Sequence, residues 1–457
     1  GFIADNNRMA EANAALRAEL PQPSSRVQRR GSFRHNVHLR ARALVRFVLT
    51  AFTEDEWFQE CKHGSGTSVG VPFSDTSLER KFLFPISCTS SVKPLMQRYL
   101  DFNHGLKEAV FSYNSENPVN PGWYQIVEGA RATTVDKTTD KRRFISIEPT
   151  GNMFFQQGLM QMMYKRMALV GLDTALLPDE HKWRAYRASI TCREATIDWS
   201  SASNSVSIEL VKWCLPAAWF AAVMQTRSRF TALRGEDVEL HMIATMGNAV
   251  TFPLETLIFW AYGHAVRLSL EDTNALFPEW EHLKVISVFG DDCIVPTYVA
   301  EPYMGFLTSI GFLVNKEKSY YQDEGFRESC GGDYLHGIDV RPFHLKAPDS
   351  RKISRLEPWL YTIWNSLIKK YISYFGELDY VYGRVLFDLL VELCLRYKLQ
   401  LKLVPDDFPD DAGLKVSKDL ARFRRCYPDL VWSKVAVSKH GTYRFRYCRF
   451  VYQTRLF

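Results

Sequence analysis

The stretch "VISVFGDDCIVPTY", residues 285–298, places two adjacent carboxylates, Asp291 and Asp292, between two runs of mostly apolar residues. A short apolar strand, a tight Gly–Asp turn and a second apolar strand make a β-hairpin, and its tip lifts both aspartates out of the core. Two ionised carboxylates about 4 Å apart repel by roughly 4 kcal/mol at an effective dielectric of 20. Either one takes a proton or a cation sits between them. A hard divalent cation with oxygen ligands, usually Mg²⁺, is the natural partner. A solvated turn on a surface hairpin is the plain alternative, and the hairpin alone does not decide between the two.

A second strand end bears on that choice. "TIDWSSASNS" (196–205) sets Asp198 after apolar strand residues and before a Ser-rich turn into a helix. Alone, such an Asp reads as a helix cap. Yet Asp198 and the 291–292 pair are separated by strands and helices, so neighbouring strands can bring all three carboxylates to one sheet edge. Three carboxylates there can hold two metals about 3.5–4 Å apart, an arrangement that activates an attacking oxygen and stabilises a leaving one in phosphoryl transfer.

Three further stretches fit the same chemistry. In "IATMGNAVTFPLET" (243–256), Thr245, Gly247 and Asn248 form a turn before a helix. Small residues allow close backbone approach, and Asn248 offers a donor and an acceptor to a hydroxyl, or else caps the helix. "VDKTTDKRRFISIEP" (135–149) gathers Lys137, Lys141, Arg142 and Arg143 before a strand. These cations would neutralise a triphosphate or its pyrophosphate product, or form a solvated cluster. "GFLVNKEKSYY" (311–321) supplies Lys316 and Lys318; one of them could protonate a leaving pyrophosphate, where the plain reading is a surface lysine.

Composition sets the frame. The 457 residues are 46% hydrophobic and 24% charged, an ordinary globular mix with room for two or three domains or one multi-lobed unit. The net charge of +6 is unevenly spread: residues 415–457 hold eleven Lys/Arg against Asp419 and Asp429, while residues 26–46 hold seven Arg and no acid. Such local excess suits a polyanion, nucleic acid above all, or simply two wet basic faces. Nine cysteines without a CxxC pair point to buried thiols in a reducing compartment rather than a disulfide framework or a zinc knuckle. The longest apolar run, "WCLPAAWFAAVM" (213–224), contains Pro216 and is too short to span a bilayer, so no membrane role is expected. The N-terminus lacks a secretory apolar segment, and the chain starts at Gly1, as a trimmed chain would.

The remaining pattern is mixed. A short Ala-rich helix and a linker open the chain, and helical spacing follows over 39–52. Residues 61–81 read as loop. "GNMFFQQGLMQMMYKRMALV" (151–170) reads as a long helix whose methionines fill core. Strand 194–198, helix 205–215 and helix 251–268 alternate through the centre. After residue 350 the pattern is mostly helical up to a Pro/Asp loop at 404–413. The tail "TYRFRYCRFVY" (442–452) sets Arg444 and Arg446 on one face of a strand and aromatics on the other. Those arginines would line a channel for template phosphates, or form the wet face of a core. The mixture indicates an α+β fold with helices grouped around a sheet.

In order, Asp198, "MGN", "FGDD" and "NKEKS" resemble motifs A to D of viral RNA-dependent RNA polymerases. "TIDWSSASNSVS", "TMGNAVTFPLETLIFWA", "FGDDCIVP" and "FRESCGGDYLHGIDVRPF" are similar to the replicase β subunit of the single-stranded RNA bacteriophages, the leviviruses. "CKHGSGTSVGVPFSDTSLERKFLFP" and "FISIEPTGNMFFQQG" resemble its fingers segments; the likeness runs from about residue 55 to 345. The resemblance implies a right-hand polymerase: fingers mostly in 1–190, a palm over 191–345 whose antiparallel sheet carries the GDD hairpin, and a thumb over 346–457. It implies that Asp198, Asp291 and Asp292 bind two Mg²⁺ ions, with Mn²⁺ a possible substitute. It places Lys137 and Arg143 at the incoming triphosphate, Asn248 at the ribose 2′-hydroxyl and Lys318 as general acid, with Lys316 its runner-up. Residues 326–343 match the hairpin that braces the growing 3′ end.

Two positions depart from the family pattern. Asn204 stands where Asp is common, which shifts ribose discrimination to Ser203 or Asn248. Ala249 stands where Gly usually follows "MGN" and would stiffen that loop. The resemblance further implies an RNA template and product, ribonucleoside triphosphates, host elongation factors Tu and Ts, a host ribosomal protein, and the cytoplasm of an infected bacterium. The rivals are a reverse transcriptase, another metal-dependent nucleic-acid enzyme, and a catalytically silent RNA-binding subunit. Extension with ribonucleotides or deoxyribonucleotides separates them.

Overall fold

The computed structural model describes the chain except residues 29–31, 119–121, 137–141, 272, 343–352, 376–387, 389–390, 400, 406–407, 416–435, 438–442 and 445–457. Two units divide it, Gly1–Gly337 and Ile338–Phe457. The first begins with helices α1 (Phe2–Glu19) and α2 (Phe33–Leu49). Strands β1 (Gly129–Asp136) and β2 (Arg142–Ile147) lead into α3 (Thr150–Ala168) and α4 (Leu177–Thr191). Then come β3 (Glu194–Ile197), β4 (Phe230–Leu233), β5 (Glu236–Glu239) and α5 (Thr251–Leu270). The hairpin strands β6 (Ser287–Phe289) and β7 (Asp292–Pro296) and a second hairpin, β8 (Phe326–Ser329) and β9 (Gly332–Leu335), follow.

Two sheets organise this unit. In the first, β7 lies between β3 and β6, antiparallel to both. In the second, the order is β2-β1-β4-β5, with β1 parallel to β4 and the other pairs antiparallel. Helix α5 is buried on every side, as a helix apolar all round must be. It packs against α2, and Phe259 on it joins Trp199 and Phe312 in an aromatic cluster, with ring centroids 5.3 and 4.8 Å from Phe259. Met162, Met163 and Met167 of α3 are fully buried, the core role their spacing indicates.

Four of the seven arginines in the stretch 26–46 do not form a free basic face, while Arg26 is exposed. Arg40 is buried and donates to Ala275 O and Ser269 Oγ. Arg34 pairs with Glu19, Arg42 lies over the Trp213 ring, and Arg46 donates to Leu215 O. These guanidinium groups tie α2 to its neighbours, and a helix of this kind spends its charges on packing. The apolar run 213–224 splits at Pro216 into two short helices, Ile208–Cys214 and Ala217–Thr226. Among the described residues no helix is long and apolar enough to cross a membrane.

The second unit is built on helix α6 (Ile353–Phe375), whose Leu360, Tyr361 and Trp364 form a separate core with Leu399, Leu401 and Leu414. Asn365 ties the Pro/Asp loop to this helix, donating to Asp410 O and Gly413 O at 2.8 and 2.7 Å. Of the basic tail, Tyr443–Arg444 pairs with Ala436–Val437, while Arg446 lies outside the described residues.

Candidate active site

The GDD hairpin forms as its sequence demands. Phe289 pairs with Asp292, leaving Gly290 and Asp291 as a two-residue loop. Gly290 has φ +62°, the left-handed value that the first position of a II′ turn requires. A Cβ there would also come within 2.6 Å of the Phe252 ring, so glycine is needed twice over. The Gly290 N–H donates to Thr256 Oγ1 at 2.9 Å, which pins the loop to α5. On the other side of β7, Cys293 pairs with Ile197. One step further along this antiparallel ladder, Asp292 faces Asp198 across neighbouring strands.

Two of the three carboxylates have hydrogen-bonded supports of their own. Asp198 Oδ2 accepts from Asn315 Nδ2 at 2.6 Å, and the Asn315 N–H donates to Asp198 O at 2.9 Å. This anchors the strand end to the short antiparallel pair Trp199–Ser200 and Leu313–Val314. Asp292 Oδ2 accepts the Cys330 N–H at 3.1 Å from the turn of the β8–β9 hairpin. Burial, then the Asp291 charge, then Asp198 push Asp292 up to about 7. Asp198 is also raised, by burial first, with the Asn315 hydrogen bond opposing and Asp291 adding.

These residues fit a divalent cation by the chemistry of the donor set: three carboxylates gather at one strand edge, and two of them, Asp198 and Asp292, are made harder to ionise by burial and by their acidic neighbours. Their oxygens stand apart. Among the described residues, the one His/Cys/Asp/Glu group with all ligand atoms within 4.8 Å is Glu279, Glu281 and His282, exposed acids and a histidine around a short turn. Two of the aspartates have private donors, Asp198 the Asn315 amide and Asp292 the Cys330 N–H, which favours a spread of like charges.

The other expected residues divide. Lys318 lies by the site: its Nζ donates to Glu328 on β8 at 2.8 Å. That bond is the main reason its pKa is raised, and Asp198 and Asp292 add to the shift. Lys316 is exposed on the same turn. Ser203 lies close enough to Glu255 of α5 to favour its ionised form. Asn248 is buried, with Nδ2 donating to Glu148 Oε1 at 3.2 Å and Oδ1 accepting the Val250 N–H at 3.0 Å. Asn248 is not the cap of α5: the N-cap is Val250, which makes no side-chain cap bond, and the Asn248 Oδ1 bond closes the turn that leads into it. Arg143 is exposed on β2, opposite Val135 of β1. Lys137 lies outside the described residues. Of the two family departures, Ala249 sits without a positive φ, so no strain attends it, and Asn204 donates to Asp5 Oδ2 at 3.3 Å.

Sequence reasoning missed two buried acids. Glu255 is fully enclosed, and its Oε1 has no hydrogen-bond partner. Burial raises its pKa well above the usual range, and Asp291 and Asp198 add to that. Its signal was there to read: one acid inside the apolar helix "TFPLETLIFW". Glu148 bonds Ser228 Oγ at 2.6 Å as well as Asn248, joining the strand end after β2 to the turn before α5. Nothing in its local sequence marks it.

The family described as RNA replicase, beta-chain, matches residues 4–371. The RNA-directed RNA polymerase subunit beta of Enterobacteria phage SP is 32% identical over 332 residues, 70% of this chain and 54% of that one. The corresponding beta chain of Enterobacteria phage GA is 31% identical over 318 residues, covering 67% and 55%. That of Escherichia phage MS2 is 28% identical over 357 residues, covering 74% and 62%. The chain thus spans little more than half the length of these relatives. Likeness to solved structures is loose: the BmCPV RNA-dependent RNA polymerase at elongation state gives a TM-score of 0.45 at 12% identity, over 82% of this chain and 34% of that one.

Proposed function

Because the chain belongs to the RNA replicase beta-chain family, we propose that it is an RNA-directed RNA polymerase that copies a viral RNA genome. The observation that carries this reading is the strand register that sets Asp292 beside Asp198, with Asp291 at the adjoining turn. The 3′-hydroxyl of the nascent RNA attacks the α-phosphate of an incoming ribonucleotide; a new P–O bond forms, the α–β bond breaks, and pyrophosphate leaves. Bound divalent cations, two Mg²⁺ in this reading with Mn²⁺ able to substitute, supply positive charge at the attacking and leaving oxygens.

The chain's own residues do the rest. Asp198, Asp291 and Asp292 fix the cations, Asn315 and the Cys330 N–H orient two of those carboxylates, and Glu328 keeps Lys318 protonated near the leaving group. Arg143 and Lys137 meet the triphosphate, and Ser203 and Asn248 face the ribose. Fingers, palm and thumb follow the boundaries 1–190, 191–345 and 346–457. The partners are template RNA, ribonucleoside triphosphates, host elongation factors Tu and Ts and a host ribosomal protein, in the cytoplasm of an infected bacterium.

A primed RNA template with Mg²⁺ and four ribonucleotides tests this. Asp291→Asn and Asp292→Asn should each lower extension by roughly a hundredfold or more while sparing RNA binding. Full extension by either variant, or preferential use of deoxyribonucleotides, would overturn the assignment.

A further inference from the structure

Helix α1 has no part in that mechanism, yet its buried face is half polar: Asp5, Asn6 and Asn13 are buried beside Met9, Ala12 and Leu16. A helix that docked only to cover core would present apolar side chains there. The polar residues all reach partners distant in sequence. Asn6 donates to Glu239 O and accepts the His241 N–H, both at 2.8 Å. Asn13 donates to His241 O at 2.8 Å and accepts the Glu209 N–H at 2.9 Å. These bonds dock the helix.

Arg8 does something different. Its Nη2 donates to Ser205 Oγ at 2.7 Å, its Nε to Gly311 O at 3.2 Å and its Nη1 to Asp5 Oδ1 at 2.9 Å. Ser205 and Gly311 stand on the two segments that flank Asp198. One follows it in the chain, through the 3-10 turn Ala202–Asn204. The other runs on to Asn315, the donor to Asp198 Oδ2. A single guanidinium therefore spans both supports of that carboxylate. Asp5 completes the arrangement: it orients Arg8 and accepts from Asn204 Nδ2 at 3.3 Å. Asn204 is the chain neighbour of Ser203, whose hydroxyl acts on Glu255 of α5.

We infer that Asp5 and Arg8 form a positioning latch, which holds the 201–205 loop and the 311–315 segment at a set separation around Asp198 and so tunes how the site grips the sugar of the incoming nucleotide. Neither residue touches substrate; both act through the loop that carries Ser203. The latch rests on the polymerase reading above. Its chemistry is exacting because Asp5 is buried: with its charge removed, Arg8 loses its counter-charge, and with a second carboxylate at position 204, like charges meet.

The test is a charge swap read by sugar selectivity. Asp5→Asn keeps the shape of the side chain and removes its charge. It should raise KM for the ribonucleotide, and lower the ribo-over-deoxyribo ratio, by about tenfold, with less change in kcat. Asn204→Asp restores the residue common in the family, yet in this chain it should do the same, because the Asp5 carboxylate already stands against position 204 and the two charges repel. The double variant restores one carboxylate and one amide and should return the ratio to within about twofold of the unmodified chain. Arg17→Ala, which breaks an exposed ion pair of the same helix with Glu209, should leave the ratio unchanged. Melting temperature and RNA affinity, followed in all four variants, separate the latch from general loss of fold. An unaltered ratio in Asp5→Asn, or a swap that fails to rescue, overturns the latch alone. No extension by the unmodified chain overturns the polymerase reading and the latch with it.

Discussion

His181 shows how much one buried side chain commits. Its Nδ1 meets Ser329 Oγ at 2.9 Å and its Nε2 meets Ser287 Oγ at 2.8 Å, so it bridges β8 and β6 from α4. Burial, reinforced by the Arg184 charge, lowers its pKa to about 3. The folded value lies below the unfolded one near 6.5, so the stability it protects is whole above that pH and is lost as pH falls toward 3. At pH 5 the loss is about 2 kcal/mol for this residue. His181→Gln cannot titrate; it should be less stable at pH 7 yet lose about 2 kcal/mol less between pH 7 and pH 5 in urea unfolding. An equal loss in both proteins would show that His181 takes up its proton without unfolding. The sequence made Asp198, Asp291 and Asp292 readable because carboxylates at apolar strand ends are locally conspicuous. His181, Asn315 and Glu148 were not readable, because their roles reside in partners a hundred or so residues away.

At the scale of elements, helices were the legible part. The long Met-rich helix and the apolar helix after "MGN" formed close to where their spacing put them, as α3 and α5. The four-stranded sheet was hidden, since its central pairing joins β1 to β4 across about a hundred residues and no periodicity encodes that registry. One glycine binds the two kinds of element together. Gly247 has φ +112°, and a Cβ on it would fall 2.0 Å from Ser146 O at the end of β2, whose N–H donates to Met246 O at 2.8 Å. The turn before α5 can touch β2 only with a bare backbone there. Gly247→Ala should therefore cost about 2–4 kcal/mol in urea unfolding, from the forced φ and the displaced strand together. Ala249→Gly, two residues on and free of positive φ, should change stability by less than about 1 kcal/mol. Similar losses in both would mean that the loop's general flexibility, not the approach to Ser146, governs this joint.

For the whole molecule, composition disclosed a chain with ample core but not where the cores part. The main apolar cluster draws its members from Leu16 through Phe312, and the cluster around Trp364 draws its own from Leu360 through Leu414. The division was unreadable because apolar content is similar on both sides of residue 337, and only side-chain contacts reveal which residues share a core. Separate cores predict separate responses. Trp364 is buried at the centre of the second cluster, and Trp364→Ala removes its ring, at a cost of about 3–5 kcal/mol to that unit. Calorimetry at pH 7 should then show a low-temperature shift of one transition only. Lowering the pH to 5 should move the other, because His181 and the equally buried His264, also held near 3, both belong to the first unit. If Trp364→Ala and acid instead displace one shared transition, the two cores fold as a single cooperative body, and damage to the second unit would lower the stability of the aspartate-bearing unit as well.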